Sequence, residues 1–261
     1  MNRMFKNTLP PKDSDIRQSI YAGDIYILPP TDIRLRLCAV IHRMLVQVLS
    51  DDVQTVHTRQ DDRKTLENLS TVKGELETNT DYRLATKSIL NELGMTVKDY
   101  ALDVPRLRAN IPMGHKNEEA EIAYATHRDT WYSNPKSQIN FWMPIFDTTD
   151  KQSFAFYPDY FDKPVENNSA EFDYDSWIAH GHPTTHETLS NPISFAAPAG
   201  SLVMFSAAHL HQGLAHDENT IRYSIDFRTV HRGDFEKDIG APDPDNDSAP
   251  HAFQDYLNKD A

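Results

Sequence analysis

Two segments of this chain alternate apolar residues with mostly polar ones in the pattern of a β-strand. Residues 137–146 (SQINFWMPIF) and 221–230 (IRYSIDFRTV) each place apolar side chains at every second position. Because successive side chains of a strand point to opposite faces, each segment predicts a strand with one face on a core. The opposite faces carry Gln138, Asn140 and Trp142 in the first segment, and Arg222, Ser224, Asp226 and Arg228 in the second.

Shorter strand patterns, separated by turn residues, surround these two segments. They predict strands at 24–28, 106–111, 121–126, 153–157, 193–197 and 201–206. Such a series indicates an antiparallel sandwich or barrel.

The first third of the chain has helical periodicity instead. Apolar residues recur at three-and-four spacing from Leu37 to Leu49, and similar stripes predict helices over 61–77 and 82–93. Gly94 is the expected left-handed residue that closes the last of these helices. Residues 1–23, which include two adjacent prolines, are expected to form a poorly ordered or surface-laid arm.

We expect a single domain over residues 1–261, with a helical buttress at 24–100 and a barrel core at 104–230. The core carries an insert, 158–191, and residues 231–261 form a tail. An insert of this length in a compact domain is usually functional or mobile, and its aromatic residues argue against disorder. We therefore predict that it forms a lid or wall over a site.

Charge and hydropathy exclude several kinds of partner. The net charge of −13 argues against nucleic acid and against an anionic membrane surface. The mean hydropathy is −0.61, and the most apolar run, 35–49, is too short and too polar to span a bilayer. The N-terminal residues lack the apolar core of a signal peptide, so we expect a cytoplasmic protein. The single cysteine, Cys38, excludes an internal disulfide.

His127 and Asp129 are the first candidates for chemistry. In an extended segment, residues two apart project from the same face, so an imidazole and a carboxylate would lie together. A second histidine would complete the facial triad of two His and one carboxylate that holds non-haem Fe(II) in oxygenases. His209, His211 and His216 are all near enough in sequence to supply it, and a structural salt bridge would also explain the triplet around Asp129.

A wider pattern lies downstream. Residues 200–205 form a turn and a buried strand that lead into the His-rich loop, and Arg222 follows His211 by 11 residues, with Ser224 behind it. With the His-x-Asp motif, these features resemble the iron(II)/2-oxoglutarate-dependent oxygenases, specifically the phytanoyl-CoA dioxygenase-like branch. The resemblance covers roughly residues 106–230.

This resemblance implies a mainly β fold, a double-stranded β-helix (a jelly-roll, cupin-like barrel) with N-terminal helices packed on one sheet. It implies that Fe(II) is bound by His127, Asp129 and His211. It also implies that Arg222 and Ser224 bind the far carboxylate of 2-oxoglutarate, and that Asn140 and Trp142 line the same pocket. Dioxygen is the second co-substrate. Related halogenases have Gly or Ala at the Asp129 position, so we expect hydroxylation of a small molecule, with release of succinate and CO2.

Alternatives remain at several positions. His209 could be the distal ligand or a residue behind it, and Gln138 and Asn140 could be satisfied polar groups of the barrel. Arg106 and Arg108 could bind an anionic substrate or form a solvated strand face. His180 and His182 imitate a metal pair, although loop histidines are usually not ligands. A non-catalytic cupin-like binding protein and a Zn²⁺-dependent hydrolase are the competing functions. The substrate and the oligomeric state do not follow from the sequence.

Overall fold

The computed structural model describes residues 5–50, 52–116, 124–174, 182–249 and Tyr256. Helices and antiparallel strands both contribute to this part of the chain. The helices are α1 (Asp13–Tyr21), α2 (Asp32–Leu49), α3 (Asp62–Thr78), α4 (Thr80–Glu92) and α5 (Arg232–Glu236). The strands are β1 (Tyr26–Leu28), β2 (Tyr100–Leu102), β3 (Arg106–Asn110), β4 (Gln138–Pro144), β5 (Phe154–Phe156), β6 (Leu202–Ser206), β7 (His211–Gly213) and β8 (Arg222–His231).

The strands form two antiparallel sheets. The larger sheet has the order β1-β6-β4-β8-β2, with β3 also paired to β8, and the smaller sheet contains β5 and β7. Within the described residues no ladder of hydrogen bonds joins the two sheets into the closed barrel that we expected. The observed fold is therefore a mixed α/β arrangement built on antiparallel sheets.

The two faces of the larger sheet pack on different cores. Phe141 of β4 and Phe227 of β8 stack with ring centroids 4.7 Å apart, and they share a core with apolar residues of α2, α3 and α4. Trp142 lies on the other face, in a second core with Phe154 and Phe205 between the sheets. This is the alternation predicted from the sequence, and it directs the polar residues of β4 and β8 toward the smaller sheet.

The three predicted helices are confirmed as α2, α3 and α4, and Gly94 has the expected positive φ of 75° just after α4. The prediction of a loose arm over residues 1–23 was wrong for its second half, which forms α1. Ile16 and Ile20 are buried there, and Arg17 contacts Asp234 of α5, with Nε to Oδ2 at 2.6 Å. The helix is short and its partner lies 217 residues later in the chain, so local periodicity gave little sign of it.

Two predicted strands differ in the structure. Residues 124–126 are not in a strand, while 121–123 fall outside the described residues. Residues 193–197 make only single bridges, from Ile193 and from Ala197. Conversely, β2 and β7, of three residues each, were not predicted. No helix in the described ranges has the length and apolarity that crossing a membrane would require.

Candidate metal centre

An isolated antiparallel bridge brings the two sequence-predicted histidines together. The amide of His127 donates to the carbonyl of His211 at 3.0 Å, and the reverse bond has the same length. The two imidazole rings consequently lie with centroids 4.4 Å apart. His211 begins β7, so the smaller sheet fixes the position of one imidazole and, through the bridge, of the other.

Asp129 completes the cluster. It opens a short 3-10 helix, Asp129–Tyr132, and its amide donates to the carbonyl of Ala207 at 2.9 Å. One potential ligand atom from each of His127, Asp129 and His211 lies within 4.8 Å of the others. The structure thus brings together the three residues that the sequence singled out.

Hydrogen bonds leave the correct atoms of these side chains free for a metal. The Nδ1 atoms of His127 and His211 lie 2.9 Å from the carbonyls of Ala125 and His209, respectively. Since a carbonyl only accepts, each Nδ1 carries the hydrogen and each Nε2 keeps a lone pair. Such outer contacts fix the tautomer and orientation of metal-binding histidines in known sites.

The Asp129 carboxylate is oriented by two amides. Its Oδ2 accepts from Gln138 Nε2 at 3.2 Å and from Asn140 Nδ2 at 2.5 Å, while its Oδ1 faces His127 Nε2 at 3.5 Å. Tyr256 donates to Gln138 Oε1 at 2.5 Å and so turns the amide nitrogen toward Asp129. Asn140, predicted to lie beside a cofactor, is therefore a direct contact of the candidate metal ligand.

The electrostatic environment favours the ligating forms. Burial raises the pKa of Asp129, but its contact with His127 and the charge of Arg228 outweigh this and lower the net pKa below its usual range. Burial and the neighbouring His127 lower the pKa of His211 to about 4. At neutral pH the carboxylate is ionised and the imidazole is neutral, as metal binding requires.

The other two histidines of the loop have structural roles. His209 is 2% exposed, and its Nδ1 accepts from the amide of Ser206 at 3.1 Å. Its Nε2 lies 3.3 Å from the carbonyl of Gly23, so neither nitrogen is free for a metal. His216 directs Nε2 to the carbonyl of Asn110 at 3.2 Å. Of the three histidines, His211 is the one that clusters with His127 and Asp129. His180, which with His182 was considered as a second metal pair in the insert, falls outside the described residues.

A cavity of about 640 Å³ opens beside the cluster. Its volume is in the usual range for small-molecule sites. The wall contains His127, Asp129 and His211 together with two of the predicted pocket residues, Asn140 and Trp142. Charged residues of the wall are Lys73, Arg108, Arg222, Asp226 and Arg228. The polar faces of β4 and β8 thus line the same space as the histidine cluster.

Arg222 lies in this wall without an acidic partner. Its Nη1 donates to Ser224 Oγ at 2.6 Å and its Nε donates to the carbonyl of Gln152 at 3.1 Å. The guanidinium lies 5.7 Å from the ring centroid of Trp142. Burial lowers the pKa of Arg222 to about 10, and no carboxylate in the described part of the chain lies within 4.0 Å of it. A bound carboxylate would stabilise this charge.

The sequence reasoning missed a buried ion pair beneath the cluster. Arg128 is fully buried, and its Nε lies 3.1 Å from the carboxylate of Asp245 in the tail. The same guanidinium donates to the carbonyls of Tyr160, Lys163 and Ala208, and Asp245 also accepts from the indole of Trp131 at 2.9 Å. The ligand-bearing segment is thereby tied to the insert and to the tail. The acidic, proline-rich composition around Asp245 gave no sign of burial.

Comparison with known proteins identifies a solved structure with the same fold. No protein-family model matches the sequence, and no curated protein matches it. Among solved structures, EvdO2 from Micromonospora carbonacea var. aurantiaca superposes with a TM-score of 0.54 at 12% identity, over 86% of this chain and 93% of that one. The chain has the fold of EvdO2. A second structure, of EvdO2 complexed with 2-oxoglutarate, gives a TM-score of 0.51 at the same identity and coverage. At this identity EvdO2 establishes the fold, and the roles of individual residues rest on the geometry described above.

Proposed function

We propose that this protein is an Fe(II)- and 2-oxoglutarate-dependent oxygenase that oxidises a small molecule. The observation that carries the proposal is the cluster of His127, Asp129 and His211, whose two imidazole nitrogens and one carboxylate oxygen lie within 4.8 Å of one another. Two His and one carboxylate with open positions is the ligand set of non-haem Fe(II) oxygenases. The likeness in fold to EvdO2, which has been crystallised with 2-oxoglutarate, supports the choice of co-substrate.

The protein's part in metal binding is to hold three atoms on one side of the ion. His127 and His211 would each present Nε2, and Asp129 would present Oδ1 while Asn140 retains its other oxygen. When bound, Fe(II) and 2-oxoglutarate would supply the electrons that activate dioxygen, and dioxygen would be the oxidant. Supporting contacts of this kind usually contribute tenfold to a hundredfold in metal affinity.

Arg222 and Ser224 would bind the far carboxylate of 2-oxoglutarate. A guanidinium is a planar fork that matches a carboxylate, and Arg222 already donates to Ser224, which shares its strand face. Trp142 beneath the guanidinium, with Phe154 and Phe205 around it, gives this end of the cavity an apolar wall that excludes water. A dry site strengthens the charge pairing.

Hydroxylation, with release of succinate and CO2, is the reaction we favour, because Asp129 is retained. A cupin-like binding protein would have no use for an unpaired Arg222 in the cavity wall. A Zn²⁺ hydrolase would equally have no use for it, and would act without oxygen. Both alternatives leave unexplained a partly buried cation that has no acidic partner in the cavity wall.

The test is anaerobic addition of Fe(II) and then 2-oxoglutarate to the protein. We expect the weak visible charge-transfer absorption of a chelated 2-oxoacid. Arg222→Met should weaken 2-oxoglutarate binding by at least about tenfold, because a charge-assisted hydrogen bond is lost. Arg36→Met, on an exposed position of α2, is the matched control and should leave the absorption unchanged. The absence of any band in folded, iron-loaded protein would refute the proposal.

A further inference from the structure

The cavity has an excess of positive charge in a protein whose net charge is −13. Its charged wall residues are the cations Lys73, Arg108, Arg222 and Arg228 and the carboxylates Asp129 and Asp226. A surplus of cations against the overall charge points to an anionic ligand. Some of these charges are already bound by the protein, and others would be bound by the metal or the co-substrate.

Most of the wall charges have a partner. Asp226 is bound by Arg108, with Nε to Oδ1 at 2.7 Å and Nη2 to Oδ2 at 3.4 Å. Asp129 belongs to the metal cluster, and under the proposed function Arg222 binds 2-oxoglutarate. Lys73 and Arg228 remain. Neither side chain makes an ion pair or a hydrogen bond within the part of the chain that the structure describes.

Neither of these two cations lies on an open, solvated surface. Lys73 is partly buried on α3 where that helix contacts β3, and burial together with the nearby Arg108 lowers its pKa. Arg228 is partly buried on the cavity face of β8. Partial burial of Lys73 without a counter-charge costs free energy. Arg228 is balanced chiefly by the charge of Asp129, which a bound metal would engage. With the metal in place, an anion in the cavity would therefore be stabilised by both residues.

Arg108 of β3 pairs with Asp226 of β8, which lies two residues before Arg228 on the same face of that strand. β3 also contacts α3, which carries Lys73. The three cations therefore lie on the adjoining elements α3, β3 and β8. Apolar residues complete the wall near them: Leu66, Leu107, Ile111 and Tyr132. This combination suits a molecule with an apolar body and one anionic group.

We propose that the substrate of this site is a small organic anion, a carboxylate or a phosphate ester, whose charged group is bound by Lys73 and Arg228 with Arg108 beside it. The inference rests on the proposed oxygenase function and deepens it. Its reacting carbon would face the cluster of His127, Asp129 and His211, which lies in the wall of the same cavity. Lys73 and Arg228 are then residues that determine substrate specificity.

The experiment uses protein loaded anaerobically with Fe(II) and saturating 2-oxoglutarate, so that Arg222 is engaged. Benzoate, phenyl phosphate and the neutral benzamide are titrated by calorimetry. We expect both anions to bind at least about tenfold more tightly than benzamide. The stronger of the two anions identifies the charged group that the site prefers.

Variants locate the binding site. Lys73→Met should weaken anion binding by about tenfold, while Lys64→Met, an exposed position on the same helix, should have no effect. Arg228→Met should weaken it similarly, and Arg228→Lys should restore part of the affinity. The 2-oxoglutarate absorption should be unchanged in Lys73→Met, so loss of anion binding there is separate from loss of the co-substrate.

Several outcomes would overturn the inference. Benzamide binding as tightly as benzoate, or Lys73→Met binding like the parent protein, would do so. So would competition between benzoate and 2-oxoglutarate, or loss of the charge-transfer absorption in Arg228→Met with its retention in Arg222→Met, because Arg228 would then bind the co-substrate. If 2-oxoglutarate gives no absorption but benzoate still binds through Lys73, the anion site stands and the oxygenase proposal fails.

Discussion

At the scale of single residues, Asn140 has two possible roles. Its amide either supports the metal ligand Asp129 or contacts the co-substrate, and a substitution separates the two. It donates to the Asp129 oxygen that faces away from the open ligand atom. Asn140→Ala removes this bond, so we expect Fe(II) affinity to fall roughly tenfold to a hundredfold. Affinity for 2-oxoglutarate at saturating metal should change little. Equilibrium dialysis with Fe(II) under anaerobic conditions measures the first quantity, and the charge-transfer absorption measures the second.

The matched control is Asn91→Ala, on an exposed position of α4, which should leave both affinities unchanged. If Asn140→Ala instead weakened 2-oxoglutarate binding at saturating Fe(II), the amide would contact the co-substrate, as the family resemblance implies.

At the scale of elements, two glycines should respond oppositely to the same substitution. Gly74 lies inside α3, and a Cβ there meets nothing within 4 Å. Gly74→Ala should raise the free energy of unfolding by roughly 0.5–1 kcal/mol, because alanine restricts the unfolded chain. At Gly240, within the tail, a Cβ would lie 2.6 Å from the carbonyl carbon and oxygen of Lys136. Because the backbone of Lys136 would have to move, Gly240→Ala should lower the free energy of unfolding by about 1–3 kcal/mol. Urea denaturation of both variants measures the difference; equal signs would contradict it.

Residues 241–249 of the tail are attached to the ligand-bearing segment through the ion pair of Asp245 with Arg128. Asp245→Asn removes the counter-charge of a guanidinium that is fully buried, so we expect a loss of roughly 3–5 kcal/mol in the free energy of unfolding. The control is Asp238→Asn, whose carboxylate is 88% exposed and pairs with Lys136. Exposed pairs contribute at most about 1 kcal/mol. Similar losses in the two variants, measured by urea denaturation, would show that burial of Arg128 does not decide the energetics.

At the scale of the whole molecule, stability should fall in mild acid, partly through His216. Burial lowers its pKa, and its Nδ1 is buried without a hydrogen-bond partner. Below pH about 6.5 the unfolded chain binds a proton at this residue that the folded chain does not, so the free energy of unfolding decreases as pH falls. His216→Gln keeps a donor for Asn110 but cannot titrate. The stability difference between pH 7.5 and 5.5, from urea denaturation, should therefore be smaller in the variant. An equal difference would exclude His216 as a contributor.

How much of this molecule the sequence revealed depended on the range of the interactions. The faces of β4 and β8 were predicted because the alternation of side chains in a strand is visible within a short segment. His127 and Asp129 were found for the same reason, since they are two residues apart. The choice of His211 required the resemblance, since only the backbone contacts of His209 show why the latter is unavailable. α1 and Asp245 were missed, because their partners lie 217 and 117 residues away and composition does not encode such pairs.

The ion pair between Arg128 and Asp245 also has a consequence for synthesis on the ribosome. Asp245 is made 117 residues after the arginine that it neutralises. At about 5–20 residues per second, the nascent chain spends roughly 6–23 s with a complete His-x-Asp motif but without this counter-charge. His211 also emerges during this interval, so all three candidate metal ligands precede the residue that anchors them. We therefore expect the protein to bind its metal after Asp245 has been synthesised, and not while residues 128–245 are being elongated.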